Sequence, residues 1–361
     1  MADWDLVIAT YNRPEILKLA VRLAATQTRP PKGIYVVDAG PDPAGVAELV
    51  RQDLQKHGAG HIPYTHVPAQ VTSLTVQRNQ GVAMASAEVL FLIDDDSLMY
   101  PNCAEKIMEV YDADTAHVIA GVQAVEVRIS PMDTTDPAEL QSVEKKEGGG
   151  SKGPMPPDDR PLINLRRWFD REVLLMDRRM LFIPYDGHFH DPPRPPCAEI
   201  YRTWPTPLFH GCRMTFRRDV LLKEPAEPLL RYYAAAEDLD LSYRASRHGH
   251  LLNCGDAKLY HHTAGGGRMS RKAATALGIL NIAAFTRKHS NDLERDGRKV
   301  RTLVRRRLLA EALKDLLTRR FDFPQFRGIL LARPHVKHIL KMSLSQLEEA
   351  YPELQSRLKE M

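Results

Sequence analysis

The stretch Val89-Leu90-Phe91-Leu92-Ile93-Asp94-Asp95-Asp96 decides how the rest of the chain is read. Five apolar residues in a row, rich in branched and aromatic side chains, read as a strand buried on both faces, the kind found in parallel sheets. The three carboxylates then stand at the strand's carboxyl end. In open α/β sheets ligands bind in the crevice outside that end, so the acids are placed to hold a hard divalent cation beside a phosphate. A polar loop whose acids cap the next turn is the alternative, and the run by itself does not choose.

Neighbouring runs extend the pattern. Leu6-Val7-Ile8-Ala9 leads into Thr10-Tyr11-Asn12-Arg13-Pro14, where Asn12 is suited to cap and Pro14 to open a following helix. Ile34-Tyr35-Val36-Val37 ends at Asp38-Ala39-Gly40. Helical patterns lie between these runs, from Glu15 to Thr26 and from Pro43 to His57, and another spans Leu74 to Ser86. Strand and helix in alternation predict a parallel sheet with right-handed crossovers. Three strand ends then present polar groups along one edge, as in a mononucleotide-binding half.

With 361 residues, 43% hydrophobic and 27% charged, the chain is long enough to bury one large α/β domain and carry an appendage. No apolar stretch approaches the roughly 20 residues that cross a bilayer, and Met1 to Asp5 has no signal-peptide character, so the expected location is the cytoplasm. Cys103, Cys197, Cys212 and Cys254 lack zinc-ligand spacing and read as free thiols. A net charge of +4 is too small to argue for nucleic acid, and none is expected as a partner. Ser130 to Arg160, rich in Pro, Gly and Asp, reads as a mobile loop; its glycines are no phosphate loop, since Pro154, Pro156 and Pro157 forbid a following helix.

Further along, Ala234 to Arg244 reads as a helix start with Glu237, Asp238 and Asp240 in its first turn, and Asp240 four residues ahead of Arg244 for a surface ion pair. Lys258-Leu259-Tyr260 is a short strand ending in His261-His262, a pair that is either structural or metal-ligating. Asp186-Gly187-His188-Phe189-His190-Asp191 offers a second candidate metal site, against a solvated loop. From Gly297 to Arg320, Val300, Leu303, Val304, Leu308, Leu313, Leu316 and Leu317 recur at helical spacing among many arginines.

Taken in order, Thr10-Tyr11-Asn12-Arg13, Asp38, Arg78-Asn79-x-Gly81, Asp94-Asp95-Asp96, Glu237-Asp238 and Tyr260-His261 resemble the motifs of family 2 glycosyltransferases, over roughly residues 4 to 262. The resemblance implies an α/β fold of GT-A type, Rossmann-like, with a mostly parallel central sheet flanked by helices and a C-terminal helical extension. It divides the chain into a catalytic domain, 1–267, made of a nucleotide-binding half (1–127) and an acceptor half (128–267), and a basic helical extension, 268–361.

The activity implied is inverting transfer of a sugar from a nucleotide-sugar, UDP- or dTDP-linked, to a hydroxyl of a saccharide, lipid-linked saccharide or glycan. By the same resemblance Asp238 is the general base and Glu237 orients it or the acceptor. Tyr11 stacks near the base, Asp38 accepts its N–H, Arg78 contacts the nucleotide and Asp94 the ribose, with Thr10, Asn12, Arg13, Asn79 and Asp95 in the same donor set. Asp96 binds Mn²⁺ or Mg²⁺, with His261, or alternatively His262, as a further ligand. The basic helix 297–320 suits peripheral contact with an anionic membrane at the inner face, or else packs against the catalytic domain or a second subunit in a homo-oligomer. A nucleotidyltransferase and a noncatalytic nucleotide-sugar or glycan-binding protein remain as alternatives.

Overall fold

The computed structural model describes residues 1–147, 165, 168–175, 177–263, 265 and 269–360. The described residues of 1–155, 190–226 and 244–268 form one compact unit, and those of 156–189, 227–243 and 269–361 a second.

The first unit is built on nine strands: β1 (Trp4–Thr10), β2 (Gly33–Asp38), β3 (Tyr64–Pro68), β4 (Val89–Asp94), β5 (Ser97–Met99), β6 (Ile119–Val127), β7 (Thr203–Pro205), β8 (Arg213–Arg217) and β9 (His250–His261). They form one sheet in the order β3-β2-β1-β4-β8-β6-β9-β5, with β7 also on β9. The block β3-β2-β1-β4 is parallel. Beyond it β8 runs antiparallel to both neighbours, β6 and β9 are parallel, and β5 and β7 are antiparallel to β9. In register, Thr10 faces Asp38 and Ala9 faces Asp94, so the ends of β1, β2 and β4 come level.

Helices α1 (Pro14–Ala25), α2 (Pro43–Lys56), α3 (Leu74–Met84) and α4 (Cys103–Ala113) connect the strands. Leu6, Ile8, Ile34, Val36, Phe91 and Ile93 share a core with Leu17 and Val21 of α1, Leu54 of α2 and Ile107 of α4. Each such side chain contributes about 1.5–3 kcal/mol on burial. On β1, Val7 meets α3, where a Cβ on Gly81 would come 2.4 Å from Val7 Cγ1. Only glycine lets α3 lie that close.

Two expectations change here. Part of the stretch read as a loop is helical, α5 (Met132–Thr135) and α6 (Pro137–Glu147), while 148–160 lies outside the described residues. Leu140 and Val143 bury against Ile16, Leu19 and Ala20 of α1, and Arg22 donates to both oxygens of Glu139 at 2.9 and 2.7 Å. Packing therefore overrides the loop-like composition. Nor does Asn12 cap α1: Arg13 stands at the cap position but makes no side-chain capping bond there, and the Glu147 carboxylate accepts the N–H groups of Glu15 and Ile16 at 2.8 and 3.1 Å. Glu147 thus satisfies two of the three bare donors at that helix end, where Pro14 brings no N–H.

After the single turn α7 (Arg178–Leu181), α8 (Arg218–Lys223) and α9 (Glu237–Ala245), four long helices complete the chain: α10 (Arg271–His289), α11 (Leu293–Leu317), α12 (Pro324–Ile339) and α13 (Leu344–Glu360). Ser270 caps α10 and Asp292 caps α11 through Ala273 N–H and Arg295 N–H. The apolar stripe read along α11 holds only in its first half. Val300, Leu303 and Val304 are buried, but the line then passes to Glu311 and Asp315, both fully buried, and leaves Leu316 and Leu317 exposed. Glu311 is met by Arg307, by Lys314 at 3.1 Å and by Gln325 at 2.8 Å. Asp315 accepts the first N–H groups of α12, from Gln325 at 2.9 and Phe326 at 3.0 Å. Among the described residues no helix is long and apolar enough to cross a membrane.

Candidate metal and nucleotide site

β4 ends at Asp94, and Asp95-Asp96 form the tight turn into β5. The three neighbouring acids do different work. Asp95 is buried, accepts the Thr10 hydroxyl at 2.7 Å and pairs with Arg13 at 3.0 Å, so it ties the β1–α1 turn to the β4–β5 turn. Burial pushes its carboxyl up to about 7, against the pull of Arg13. Asp94 keeps partial exposure, 29% of its side chain, and accepts from Arg78 at 2.9 Å. Asp96 is buried, with Arg13 at 3.6 Å.

The antiparallel pairing of β5 with β9 sets Ser97 opposite His261, and the His262 N–H donates to the Asp96 carbonyl at 2.9 Å. That register brings His261 Nε2 to 3.1 Å from Asp96 and 4.0 Å from Asp94. Ligand atoms of Asp94, Asp96 and His261 all fall within 4.8 Å of one another, and no other group of three His, Cys, Asp or Glu does so among the described residues. Two carboxylates and an imidazole are a donor set that suits Mn²⁺ and, through the carboxylates, Mg²⁺. Burial disfavours a charged His261 ring, but Asp96 and Cys212 together push it up to about 11. His262 is fully buried, its ring against Tyr260 at 6.3 Å, outside the three-residue group. The loop Asp186 to Asp191 forms no such group either; Asp186 accepts instead from Tyr243 at 3.1 Å and Asn291 at 2.6 Å.

The other donor-set residues surround this turn in several ways. Arg78 is 1% exposed and bridges Asp94 and the Gly211 carbonyl, at 2.9 and 2.8 Å. Asn79 exchanges both amide bonds with the backbone of Ala226, at 2.7 and 2.9 Å, which pins α3 to that loop. Asp38 is buried, accepts the Gly40 N–H at 2.6 Å and meets His66 at 3.2 Å; His66 in turn contacts the Tyr64 hydroxyl at 2.7 Å. Tyr11 is 45% exposed, and Asn12 beside it takes a left-handed φ of 54°. His66 escaped the sequence reading and Cys212 was read only as a free thiol, because only strand register and the β8 approach bring them to Asp38 and His261.

The second acidic constellation belongs to the other unit. Glu237 and Asp238 open α9, and the approach to it holds three non-glycine residues at left-handed φ: Tyr232 at 60°, Ala234 at 51° and Ala236 at 69°. Such backbone is strained and clusters at functional sites. Arg178 pairs with Asp238 at 2.7 Å, a partner that nothing in the local sequence announces. The surface pair of Asp240 and Arg244 is corrected: both are buried, Asp240 accepting the Tyr185 hydroxyl at 2.7 Å and Arg244 pairing with Glu224 at 2.9 Å.

Residues 5–158 match the family model described as "Glycosyl transferase family 2", and this segment is a domain of that family. The matched segment holds the parallel block β3-β2-β1-β4 and the Asp94–Asp96 turn of the mixed sheet, so the family description falls on the part of the chain that carries the candidate metal site. No curated protein matches it. Several solved structures resemble it loosely. A mannosyltransferase from Pyrobaculum calidifontis in complex with GDP-mannose and Mn²⁺ is 12% identical, with 94% of this chain and 87% of that one covered at a TM-score of 0.49. TarS 1–349 of S. aureus is also 12% identical, with 99% and 88% covered at 0.47. GalNAc-T7 with UDP, GalNAc and Mn²⁺ is 14% identical, with 74% and 44% covered at 0.48.

Proposed function

We propose that this chain transfers a sugar, with inversion, from a UDP- or dTDP-linked donor to a hydroxyl of a saccharide, lipid-linked saccharide or glycan. The observation that carries the reading is the meeting of Asp94, Asp96 and His261 within 4.8 Å at the end of β4, beside the family domain's strand edge. Asp94, Asp96 and His261 would hold Mn²⁺ or Mg²⁺, which when bound would offset charge on the departing nucleoside diphosphate. Arg78 fixes Asp94, and Thr10 and Arg13 fix the turn through Asp95. Tyr11 offers a ring face to the base, Asp38 accepts the N–H of a uracil or thymine, and Asn12 and Asn79 shape the walls of the donor site.

Asp238 takes the proton of the attacking hydroxyl as general base, and Glu237 beside it orients base or acceptor. Arg178 holds the Asp238 carboxylate in place. A single displacement follows, the acceptor oxygen bonding to the anomeric carbon as the nucleoside diphosphate leaves.

A thermal-shift screen of UDP, dTDP, GDP, CDP and ADP, with and without Mn²⁺, tests the donor side. Ligand at about 100 times its Kd adds roughly 2.7 kcal/mol of stability. A metal-dependent shift with UDP or dTDP supports the reading. No shift with any nucleotide returns the chain to a binding role.

A membrane contact at the inner face is part of the proposal, and α11 favours it. Arg298, Arg301 and Arg305 are exposed on its first half, and Leu309, Leu316, Leu317 and then Phe321 are 75%, 51%, 59% and 69% exposed on the second. Basic residues beside exposed apolar ones fit an anionic lipid surface, each cation adding about 1 kcal/mol. Salt-sensitive sedimentation with phosphatidylglycerol vesicles is the expected result, and its absence removes the membrane from the account.

A further inference from the structure

Two cavities within the helical unit share one residue. The first, about 320 Å³, is lined by Leu181, Tyr233, Leu239, Thr275, Gly278 and Gln325 among others. Ala235, Ala236 and Leu239 on its wall stand on either side of Glu237 and Asp238 in sequence, so the start of α9, which carries the proposed base, forms part of that wall. Tyr233, 64% exposed, offers an aromatic face, and Thr275 and Gln325 offer hydrogen bonds, which together suit a sugar ring. The second, about 480 Å³, is lined by Ser270, Arg271, Lys272, Arg320, Asp322 and Arg327 among others. Four cations and one acid around one hollow make it a site for an anion, and guanidinium groups match phosphate oxygens in pairs.

Arg271 lines both cavities, and Gln325 of the first adjoins Pro324 of the second in the chain. Next to Arg320 comes Phe321, exposed in the turn just past α11, whose last residues Leu316 and Leu317 are exposed as well. The order is therefore a small chamber in which Tyr233, Thr275 and Gln325 stand among aliphatic side chains with Arg271 and Arg307, a strongly cationic chamber, and an exposed apolar surface.

We infer that the acceptor is a saccharide joined through phosphate to a lipid: the sugar in the first cavity, the phosphate among Arg271, Lys272, Arg320 and Arg327, and the lipid beyond Phe321. This deepens the transferase reading and rests on it for the role of Asp238. The alternation of the three chemistries decides among acceptors, since a neutral glycan has no use for four cations and a free lipid none for the sugar chamber.

Isothermal titration of the full chain with the 1-phosphates of glucose, galactose, mannose and N-acetylglucosamine, and with inorganic phosphate, tests it. At least one sugar phosphate binds about tenfold more tightly than inorganic phosphate, a difference of about 1.4 kcal/mol. Arg271→Glu with Arg327→Glu weakens both ligands about tenfold or more. Gly278→Leu fills the first cavity, where a Cβ at Gly278 has ordinary 3.7 Å contact with Ala235, and weakens the sugar phosphates while sparing inorganic phosphate. Sugar phosphates no better than phosphate, or indifferent to both variants, overturn the inference. So does a double variant that loses phosphatidylglycerol vesicles yet keeps its sugar phosphates, which would make the basic hollow a lipid-headgroup site. The nucleotide shift with Mn²⁺ is recorded in the same variants: its persistence alongside lost sugar-phosphate binding leaves the donor reading standing, and its absence in the parent chain fells that reading instead.

Discussion

The acids at Asp94 to Asp96 and those at Glu237 and Asp238 are held by opposite means. The first set sits in a turn between two strands, with β1, β4, β5 and β9 all in ladder register around it and Asp95 given over to anchoring. The second starts a helix after a stretch with left-handed residues at 232, 234 and 236, with an ion pair from Arg178. A sheet fixes geometry through many weak, shared bonds; a strained loop fixes it through few. A binding site for a small, exacting ion is well served by the former, and a group that must meet a variable acceptor by the latter.

Asp96→Asn and Asp238→Asn set the two regions directly against each other. Both should lower transfer by about 10²–10⁴-fold. Only Asp96→Asn should also erase the Mn²⁺-dependent nucleotide shift; if Asp238→Asn erases it too, the assignment of separate tasks fails. Next in size is Glu227→Gln, which strikes only the helical unit. Although burial opposes the charge, His289 and Lys288 hold the Glu227 carboxyl down at about 2, from an ordinary 4.5. The stability it contributes is complete above pH 4.5 and drains as pH falls toward 2, so the substitution should cost about 3 kcal/mol at pH 7 and little at pH 2. Denaturant melts at both pH values measure this.

Gly81→Ala attacks the sheet side alone. A methyl 2.4 Å from Val7 forces α3 off β1, with an expected loss of about 1–3 kcal/mol and a weaker nucleotide shift, since Arg78 and Asn79 ride on that helix. The smallest effect belongs to Ala236→Gly. Relieving the left-handed φ of 69° should stabilise the chain by about 1 kcal/mol while transfer drops, if the strain positions Asp238. Unchanged transfer would mean that the strain is incidental.

Much of the parallel block was legible in the sequence. The runs Leu6 to Ala9, Ile34 to Val37 and Val89 to Ile93 are the centres of β1, β2 and β4, because strands buried on both faces write themselves as unbroken apolar runs. The meeting of His261 with Asp96 was anticipated only through resemblance, since β5 is three residues long and its pairing with β9 leaves no local trace. Glu147 as a cap for α1, Arg178 as the partner of Asp238, and the buried acids of α11 were not legible at all. Each depends on a contact between distant residues, and an acid that is buried by its partners has the same letter as one in water.

The cap on α1 carries a consequence for how the chain can be divided. Glu147 closes a helix end at Glu15, 132 positions earlier and two residues past Arg13, whose guanidinium reaches Asp95. A fragment that stops ahead of Pro137 loses that cap together with β8 and β9, so the shortest stretch able to carry the whole acid turn runs from β1 through His261.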